Sequence, residues 1–127
     1  MSVRAKYDAV LKLGEALAVA DGYVEEKEGK LHIGGTAKTQ YDKDQMWDKI
    51  KEIGGEAPLD LVADIKVAIT DYYTKHTVQK GESLSLIAKH YFKDPMKYKA
   101  IFEANRDILK DPNVIFPDQE LTIPNLS

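Results

Sequence analysis

The alternation of apolar and polar residues divides the N-terminal half of the chain into helical and extended segments. Apolar positions recur at three- and four-residue spacing at Val3, Tyr7, Val10, Leu11, Gly14, Leu17 and Ala18. This spacing predicts an amphipathic helix over about residues 3–20, ended by Asp21-Gly22. Residues 23–27 and 30–39 then flank Glu28-Gly29, a dipeptide suited to the tight turn of a hairpin.

A second helix and a long strand follow. The helix carries its apolar stripe at Met46, Trp47, Ile50 and Ile53. Asp42 or Asp44 is the predicted N-cap, and Gly54-Gly55 is predicted to end the helix. From Leu59 to Ile69 the odd positions are apolar, which predicts a strand with one buried face. The element order of this half is therefore α-β-β-α-β.

The C-terminal segments predict a separate β-α-α-β unit. A short strand at Lys75–Gln79 is followed by a Lys80-Gly81 turn and by a helix with Ser83 as its N-cap. Pro95 suits the first turn of another helix, and the last strand is predicted at Glu120–Ile123. Because almost no linker separates the two halves, we predict an α+β chain of two small domains, residues 1–72 and 73–127.

Composition narrows the possible functions. The 127 residues include 18 Lys and Arg against 21 Asp and Glu, a net charge of −3 that gives no basic footprint for nucleic acid. The absence of cysteine excludes disulfides, thiolate nucleophiles and cysteine zinc sites. No apolar run reaches the ~20 residues of a membrane span. Met1–Lys12 lacks the features of a signal peptide, which predicts a cytoplasmic location.

Residues for catalysis are scarce. His32, His76 and His90 stand alone, without metal-ligand spacing, and Ser83 lacks the surroundings of a nucleophile elbow. Gly34-Gly35 is not followed by the pattern of a phosphate-binding loop, so we predict that it kinks or bulges its strand. The sequence therefore predicts a protein that is not an enzyme.

Two loops of the C-terminal unit are the strongest candidates for a binding site. In β-α-α-β order, Lys80–Leu84 and Pro112–Pro117 lie side by side because the two strands pair. Such loops offer backbone N–H and C=O groups beside apolar side chains, which suits the acetamide of a sugar. The alternative is that the apolar residues of these loops merely complete a small core. Both interpretations stay open at this point.

The same unit resembles a LysM domain over about residues 75–124. The resemblance rests on His76–Leu84, Ile101–Asn105, Ile115–Gln119 and Leu121–Pro124. It implies a non-catalytic β-α-α-β module of bacterial type that binds N-acetylglucosamine polymers, in peptidoglycan or chitin. Carried over by position, it implies glycan contacts from Gly81, Glu82, Ser83, Leu84, Asn113, Val114 and Ile115.

Two departures from the LysM pattern affect these loops. Glu82-Ser83 stands where Asp-Thr is commonest, which keeps a carboxylate and a hydroxyl. Asp118 stands where Gly is usual after Pro117. Because Asp adopts glycine-type turn conformations less freely, we expect the second loop to be reshaped.

The N-terminal unit resembles a BON domain over about residues 3–71. The resemblance rests on the element order, on Glu28–Gly35 and on the strand Leu61–Ile69. A BON unit followed by a LysM unit is similar to a family of bacterial cytoplasmic potassium-binding proteins. This likeness implies an alternative function, in which the ligand is K⁺ and the glycan groove serves another partner. No cofactor is expected beyond such an ion.

The end of the second helix is the candidate ion site. K⁺ is well coordinated by backbone carbonyls, and helix C-termini leave carbonyls unpaired in a field of negative dipole charge. The predicted carbonyl donors are Gly54, Gly55 and Ala57. A plain glycine C-cap explains the same residues without an ion, and this alternative also stays open.

Overall fold

The two halves of the chain fold as two compact units. The computed structural model describes residues 2–126, and the chain divides between Thr70 and Asp71. The first unit has the order α-β-β-α-β, with its first helix broken in two, and the second has the order β-α-α-β. The predicted α+β class and both element orders are therefore confirmed.

Two short helices replace the single helix predicted over residues 3–20. They are α1 (Val3–Lys6) and α2 (Asp8–Ala16), separated by Tyr7 with φ −101° and ψ 18°. The predicted end at Gly22 is wrong, because the chain leaves the helix at Leu17 and reverses through Ala18 with φ 54°. A non-glycine residue in the left-handed region makes the turn, a position that helical spacing does not reveal.

Three strands form the sheet of the first unit in the order β1-β2-β3. β1 (Ala20–Lys27) and β2 (Lys30–Thr39) form the predicted hairpin, antiparallel about Glu28-Gly29. Both turn residues have positive φ, at 53° and 75°, as a type I′ turn requires. β3 (Leu61–Ile69) returns parallel to β2 after α3 (Gln40–Gly54).

The glycine pair of β2 allows close packing against β1 and the residue before it. The register shift lies in β1, between Ala20 and Tyr23, opposite these glycines. A Cβ on Gly34 would lie 2.6 Å from the Tyr23 ring, and one on Gly35 would lie 2.6 Å from Val19 Cγ1. The predicted bulge thus belongs to the neighbouring strand, and the glycines make room for it.

The third helix begins earlier than predicted. Thr39 is its N-cap, because β2 runs directly into the helix and the Thr39 Oγ1 accepts a hydrogen bond from the Asp42 N–H at 3.2 Å. Asp42 and Asp44 therefore lie inside the helix and do not cap it. The predicted glycine end is confirmed, since Gly55 has φ 87° and donates its N–H to the Lys51 carbonyl at 2.8 Å.

Helices α2 and α3 cover one face of the sheet and form the core of the first unit. The buried apolar residues are Tyr7, Val10, Leu31, Ile33, Ala37, Met46, Ile50, Leu61 and Ile65. Burying each large side chain of this kind contributes about 1.5–3 kcal/mol. Leu59, which the alternating pattern included, is 88% exposed and lies before β3.

The second unit packs two helices against a two-stranded antiparallel sheet. β4 (Thr74–Thr77) pairs with β5 (Glu120–Ile123). Between them lie α4 (Leu84–Phe92), a 3₁₀ turn at Pro95–Lys97 and α5 (Tyr98–Ala104). The buried apolar core comprises Val78, Leu84, Ile87, Ala88, Ile101, Leu109, Leu121 and Ile123.

A buried asparagine joins α5 to β5. Asn105 is 2% exposed, and its amide N–H groups donate to the carbonyls of Ile101 at 2.7 Å and Thr122 at 2.8 Å. Its Oδ1 accepts the Thr122 N–H at 2.8 Å. Asn105 therefore bonds β5 much as a neighbouring strand would, and it satisfies polar groups that burial would otherwise leave unpaired.

The close contact at the end of α3 gives a stability prediction. A Cβ on Gly54 would overlap the hydroxyl of buried Tyr7 and lie 3.0 Å from Pro58 Cβ. We expect Gly54→Ala to destabilise the first unit by about 1–3 kcal/mol through overpacking. Denaturant unfolding followed by fluorescence of Trp47, the single tryptophan, measures this.

The matched control is the same substitution in the middle of α2. A Cβ on Gly14 would lie 3.4 Å from Met46 Cε, an ordinary contact. We expect Gly14→Ala to stabilise the unit by about 0.5–1 kcal/mol through helix propensity. Equal stability of the Gly54→Ala variant and the parent would contradict the packing described for Tyr7.

Candidate functional site

The two candidate loops of the second unit are joined at their bases. Beyond the last pair of β4 and β5, the Val78 N–H donates to the Gln119 carbonyl at 2.9 Å, and the Asp118 N–H donates to the Val78 carbonyl at 2.8 Å. The chain on one side continues into residues 79–83, and on the other side it arrives from residues 112–117. The two loops therefore start next to each other, as the pairing of the strands predicts.

Of the four predicted contact residues in the first loop, two are exposed and two are buried or half-buried. Gly81 turns the chain with φ 87°, and the Ser83 Oγ accepts the Leu86 N–H at 3.2 Å, which confirms Ser83 as the N-cap of α4. Both residues are exposed, whereas Glu82 is half-buried. Leu84 is 2% exposed and lies within the core.

The second loop presents apolar side chains beside the exposed Asn113. Asn113 is exposed, and its N–H donates to Asp111 Oδ1 at 2.8 Å. Val114 and Phe116 are 47% and 59% exposed, while Ile115 is half-buried against the core. Leu84 and Ile115 complete the core, as one interpretation of these apolar residues predicts. Val114 and Phe116 do not, and they are exposed as a binding surface requires. Phe116 is a contact candidate that the family likeness did not supply.

Asp118 forms the turn that glycine usually forms. Its φ of 72° lies in the left-handed region, and its N–H makes the hydrogen bond to Val78. Asp118 therefore adopts a glycine-type conformation, at a backbone cost of about 1 kcal/mol.

A hydrogen-bond network lies under the first loop. Glu82 Oε1 accepts the Gln79 N–H at 2.6 Å and lies 2.9 Å from His76 Nε2, while His76 Nδ1 lies 2.7 Å from the Tyr91 hydroxyl. Burial raises the pKa of Glu82, but the hydrogen bonds from His76 and Gln79 and the charges of His76 and His90 outweigh it and hold the pKa below 4.5. The sequence spacing indicated that His76 is isolated, because only the fold brings Tyr91 and Glu82 next to it.

These loops and this network fall inside a segment that a known family describes. Residues 76–124 match the family model of the LysM domain. This segment is a LysM domain. The LysM domain thus contains every residue for which glycan contact was predicted, from Gly81 to Ile115, and the candidate ion site lies outside it.

Two curated proteins are similar to the chain. Over 98 residues it is 34% identical to "Potassium binding protein Kbp" of Escherichia coli, an alignment that covers 76% of this chain and 64% of that protein. Over 51 residues it is 47% identical to an uncharacterized protein of Deinococcus radiodurans, covering 40% of this chain and 19% of that protein. The chain thus spans less than two thirds of the length of either relative.

The candidate ion site lies where α3 ends. Gly55 and Ala57 are exposed and Gly54 is half-buried. No backbone N–H within residues 2–126 donates to the carbonyls of Ile53 and Gly54. These carbonyls are the groups that a helix end leaves for water, a cap or a cation.

A polar cluster lies against this helix end. The Tyr7 hydroxyl, which contacts Gly54, donates to Asp60 Oδ1 at 2.6 Å, and Lys6 Nζ lies 2.6 Å from Asp60 Oδ2. Hydrogen bonds from Lys6 and then Tyr7 hold the pKa of Asp60 below 3.8. Burial, together with Asp60, raises the pKa of Tyr7 to about 12. The Asp60 carboxylate is therefore already paired with a cation of the chain itself.

Other features of the described residues add no further site of the predicted kinds. Within residues 2–126, no three His, Asp or Glu side chains converge as a metal site would require. No helix there is long and apolar enough to cross a membrane. A cavity of about 280 Å³ lies between α2 and the sheet, and its charged residues Arg4 and Glu15 are of opposite sign. The cavity is lined by none of the residues predicted to bind glycan or K⁺.

The pairing of Asp60 predicts a pH dependence. Its folded pKa lies below its unfolded value, so its stabilisation is present above the unfolded pKa and is lost as pH falls through the folded pKa. We expect Asp60→Asn to be less stable than the parent at pH 7, and the difference to shrink below about pH 3.8. Unfolding followed by Trp47 fluorescence across this range measures it.

Asp64→Asn is the matched control, because Asp64 is exposed on β3 and makes no ion pair within residues 2–126. A pH-independent difference between Asp60→Asn and the parent would show that the carboxylate charge contributes nothing.

Proposed function

We propose that this chain is a non-catalytic binding protein whose LysM domain binds glycans containing N-acetylglucosamine, such as peptidoglycan fragments or chitin oligomers. The observation that carries the proposal is the joining of the two loops at Val78. It supports a shared site, because the loop with the exposed residues Gly81 and Ser83 starts beside the loop with the exposed Val114 and Phe116.

The chemistry of these loops suits an acetylated sugar. An acetamide presents one N–H donor, one carbonyl acceptor and a methyl group, so it needs directional polar partners beside an apolar surface. Gly81, without a side chain, lets a ligand approach the backbone, while Val114 supplies apolar surface. Leu84 and Ile115 support the loops from the core. Because no acid-base pair is required, the site needs only to bind.

Titration with N-acetylglucosamine oligomers tests the proposal. We expect the amide resonances of residues 81–84 and 113–115 to shift together and to saturate, since both loops line one site. Glucose oligomers of equal length, which lack the acetamide, should shift them much less. If both loops stay unshifted at millimolar sugar, the glycan function is wrong.

A matched pair of variants locates the apolar contact. Val114→Ser should weaken glycan binding about tenfold, the usual size of a lost apolar contact of 1–2 kcal/mol. Met96→Ser is the control, because Met96 is 63% exposed and follows the C-terminal end of α4, a helix about 13 Å long whose N-cap is Ser83. Equal loss in both variants would point to a general effect on the domain.

Potassium binding is the second candidate function. It is favoured by the similarity to the E. coli protein named for potassium binding, which extends over 76% of this chain. In this proposal the first unit, whose order resembles a BON domain, binds K⁺ through the carbonyls of Gly54, Gly55 and Ala57. The LysM groove then serves another partner.

Thermal unfolding in two salts tests the second candidate. A K⁺ site raises the melting temperature in KCl above that in NaCl of equal ionic strength, because screening treats the two salts nearly alike while specific binding stabilises by mass action. The variant Gly55→Ala, strained at φ 87°, should reduce the K⁺-specific increment. Equal melting temperatures in KCl and NaCl would exclude this function.

A further inference from the structure

We propose that His76 is a positioning residue for glycan recognition, which holds the first loop of the LysM domain in its binding shape through Glu82. The proposal rests on the proposed glycan function. It assigns to Glu82 a structural task within the loop in place of the sugar contact that the family likeness implies.

The geometry of Glu82 carries the first step. One carboxylate oxygen, Oε1, accepts both the Gln79 N–H at 2.6 Å and a hydrogen bond from His76 Nε2 at 2.9 Å. The side chain of Glu82 thus crosses the base of the turn that contains Gly81. Its charge is directed to the body of the domain, where it closes the loop upon β4.

The ring of His76 is held from its other side by α4. Its Nδ1 lies 2.7 Å from the Tyr91 hydroxyl, and the two rings meet edge to face at 5.5 Å. In the neutral ring the Tyr91 O–H donates to Nδ1 while Nε2–H donates to Glu82, and in the charged ring both nitrogens donate. The orientation of the ring is therefore satisfied in either protonation state.

The network is shielded from water. The side chains of His76 and Glu82 are 15% and 26% exposed, so their hydrogen bond is weakly screened and an unpaired partner would be costly. A continuous path of contacts then runs from α4 through Tyr91, His76 and Glu82 to the loop. Preorganising a loop raises affinity because less order has to be imposed on binding.

Two substitutions of His76 separate positioning from packing. His76→Phe keeps an aromatic ring against Tyr91 but removes the donor to Glu82, and we expect the dissociation constant for N-acetylglucosamine oligomers to rise about tenfold. His76→Gln keeps an amide donor that reaches Glu82, and we expect it to recover most of the affinity. Calorimetric titration of the full chain measures both.

Amide hydrogen exchange gives a readout that does not need the sugar. In His76→Phe the amides of Gln79, Gly81 and Glu82 should exchange faster than in the parent, whereas Ile123 in β5 should not change. Tyr91→Phe should produce a weaker form of the same pattern. Tyr98→Phe is the matched control, because Tyr98 packs on the same core and makes no hydrogen bond to the network.

The outcomes distinguish this proposal from the glycan function. If His76→Phe binds the oligomers as tightly as the parent, or if His76→Gln is as weak as His76→Phe, the positioning function is overturned. If the parent binds no oligomer, the glycan function fails. The amide exchange of residues 79–82 then tests on its own whether His76 holds the loop. Faster exchange in His76→Phe with recovery in His76→Gln then supports the positioning of the loop, and unchanged exchange overturns it.

Discussion

The backbone pairing of Val78 with Asp118 and Gln119 is the constraint on which the candidate site depends. It extends the β4-β5 sheet by one residue and brings together two loops that are far apart in the chain. Without it, the apolar residues of one loop would have no fixed relation to the backbone groups of the other. Asn105 reinforces the same sheet from α5 by bonding Thr122. A core this small therefore uses polar bridges to define the place where its loops meet.

Both candidate functions use backbone groups more than reactive side chains. The LysM loops offer N–H and C=O groups beside apolar surface, and the end of α3 offers the carbonyls of Ile53 and Gly54. Two carboxylates beside these places are already occupied, since Glu82 bonds His76 and Asp60 bonds Lys6 and Tyr7. Such an arrangement favours the recognition of a neutral sugar or a weakly hydrated cation over chemistry on a substrate.

The sequence predicts correctly those features that depend on the backbone preferences of single residues. The Glu28-Gly29 turn, the Ser83 cap and the Gly55 end follow from backbone preferences of single residues, and all are found. The errors arise where distant packing decides. Tyr7 fits the regular apolar spacing and yet interrupts the predicted helix. Its ring is buried and its hydroxyl bonds Asp60, a partner that spacing does not reveal.

The sequence predicts which loops form the candidate site, but it does not predict the hydrogen bonds beneath them. Strand pairing alone places the two loops side by side, and the family likeness supplies the residues. The inward direction of Glu82 and its bond to His76 depend on the turn at Gly81 and on Tyr91, which lies nine residues after Glu82. No periodicity links these positions. The likeness also leaves out Phe116, whose exposure is a property of the folded loop.

The central claim is that one glycan contacts both loops joined at Val78, and the location of the sugar acetamide tests it most directly. Intermolecular NOEs from the acetamide methyl of a bound N-acetylglucosamine oligomer should reach the methyl groups of Val114 and the ring of Phe116, together with the amide of Ser83. Such a set requires one ligand to contact both loops joined at Val78. NOEs confined to residues outside both loops would contradict the account.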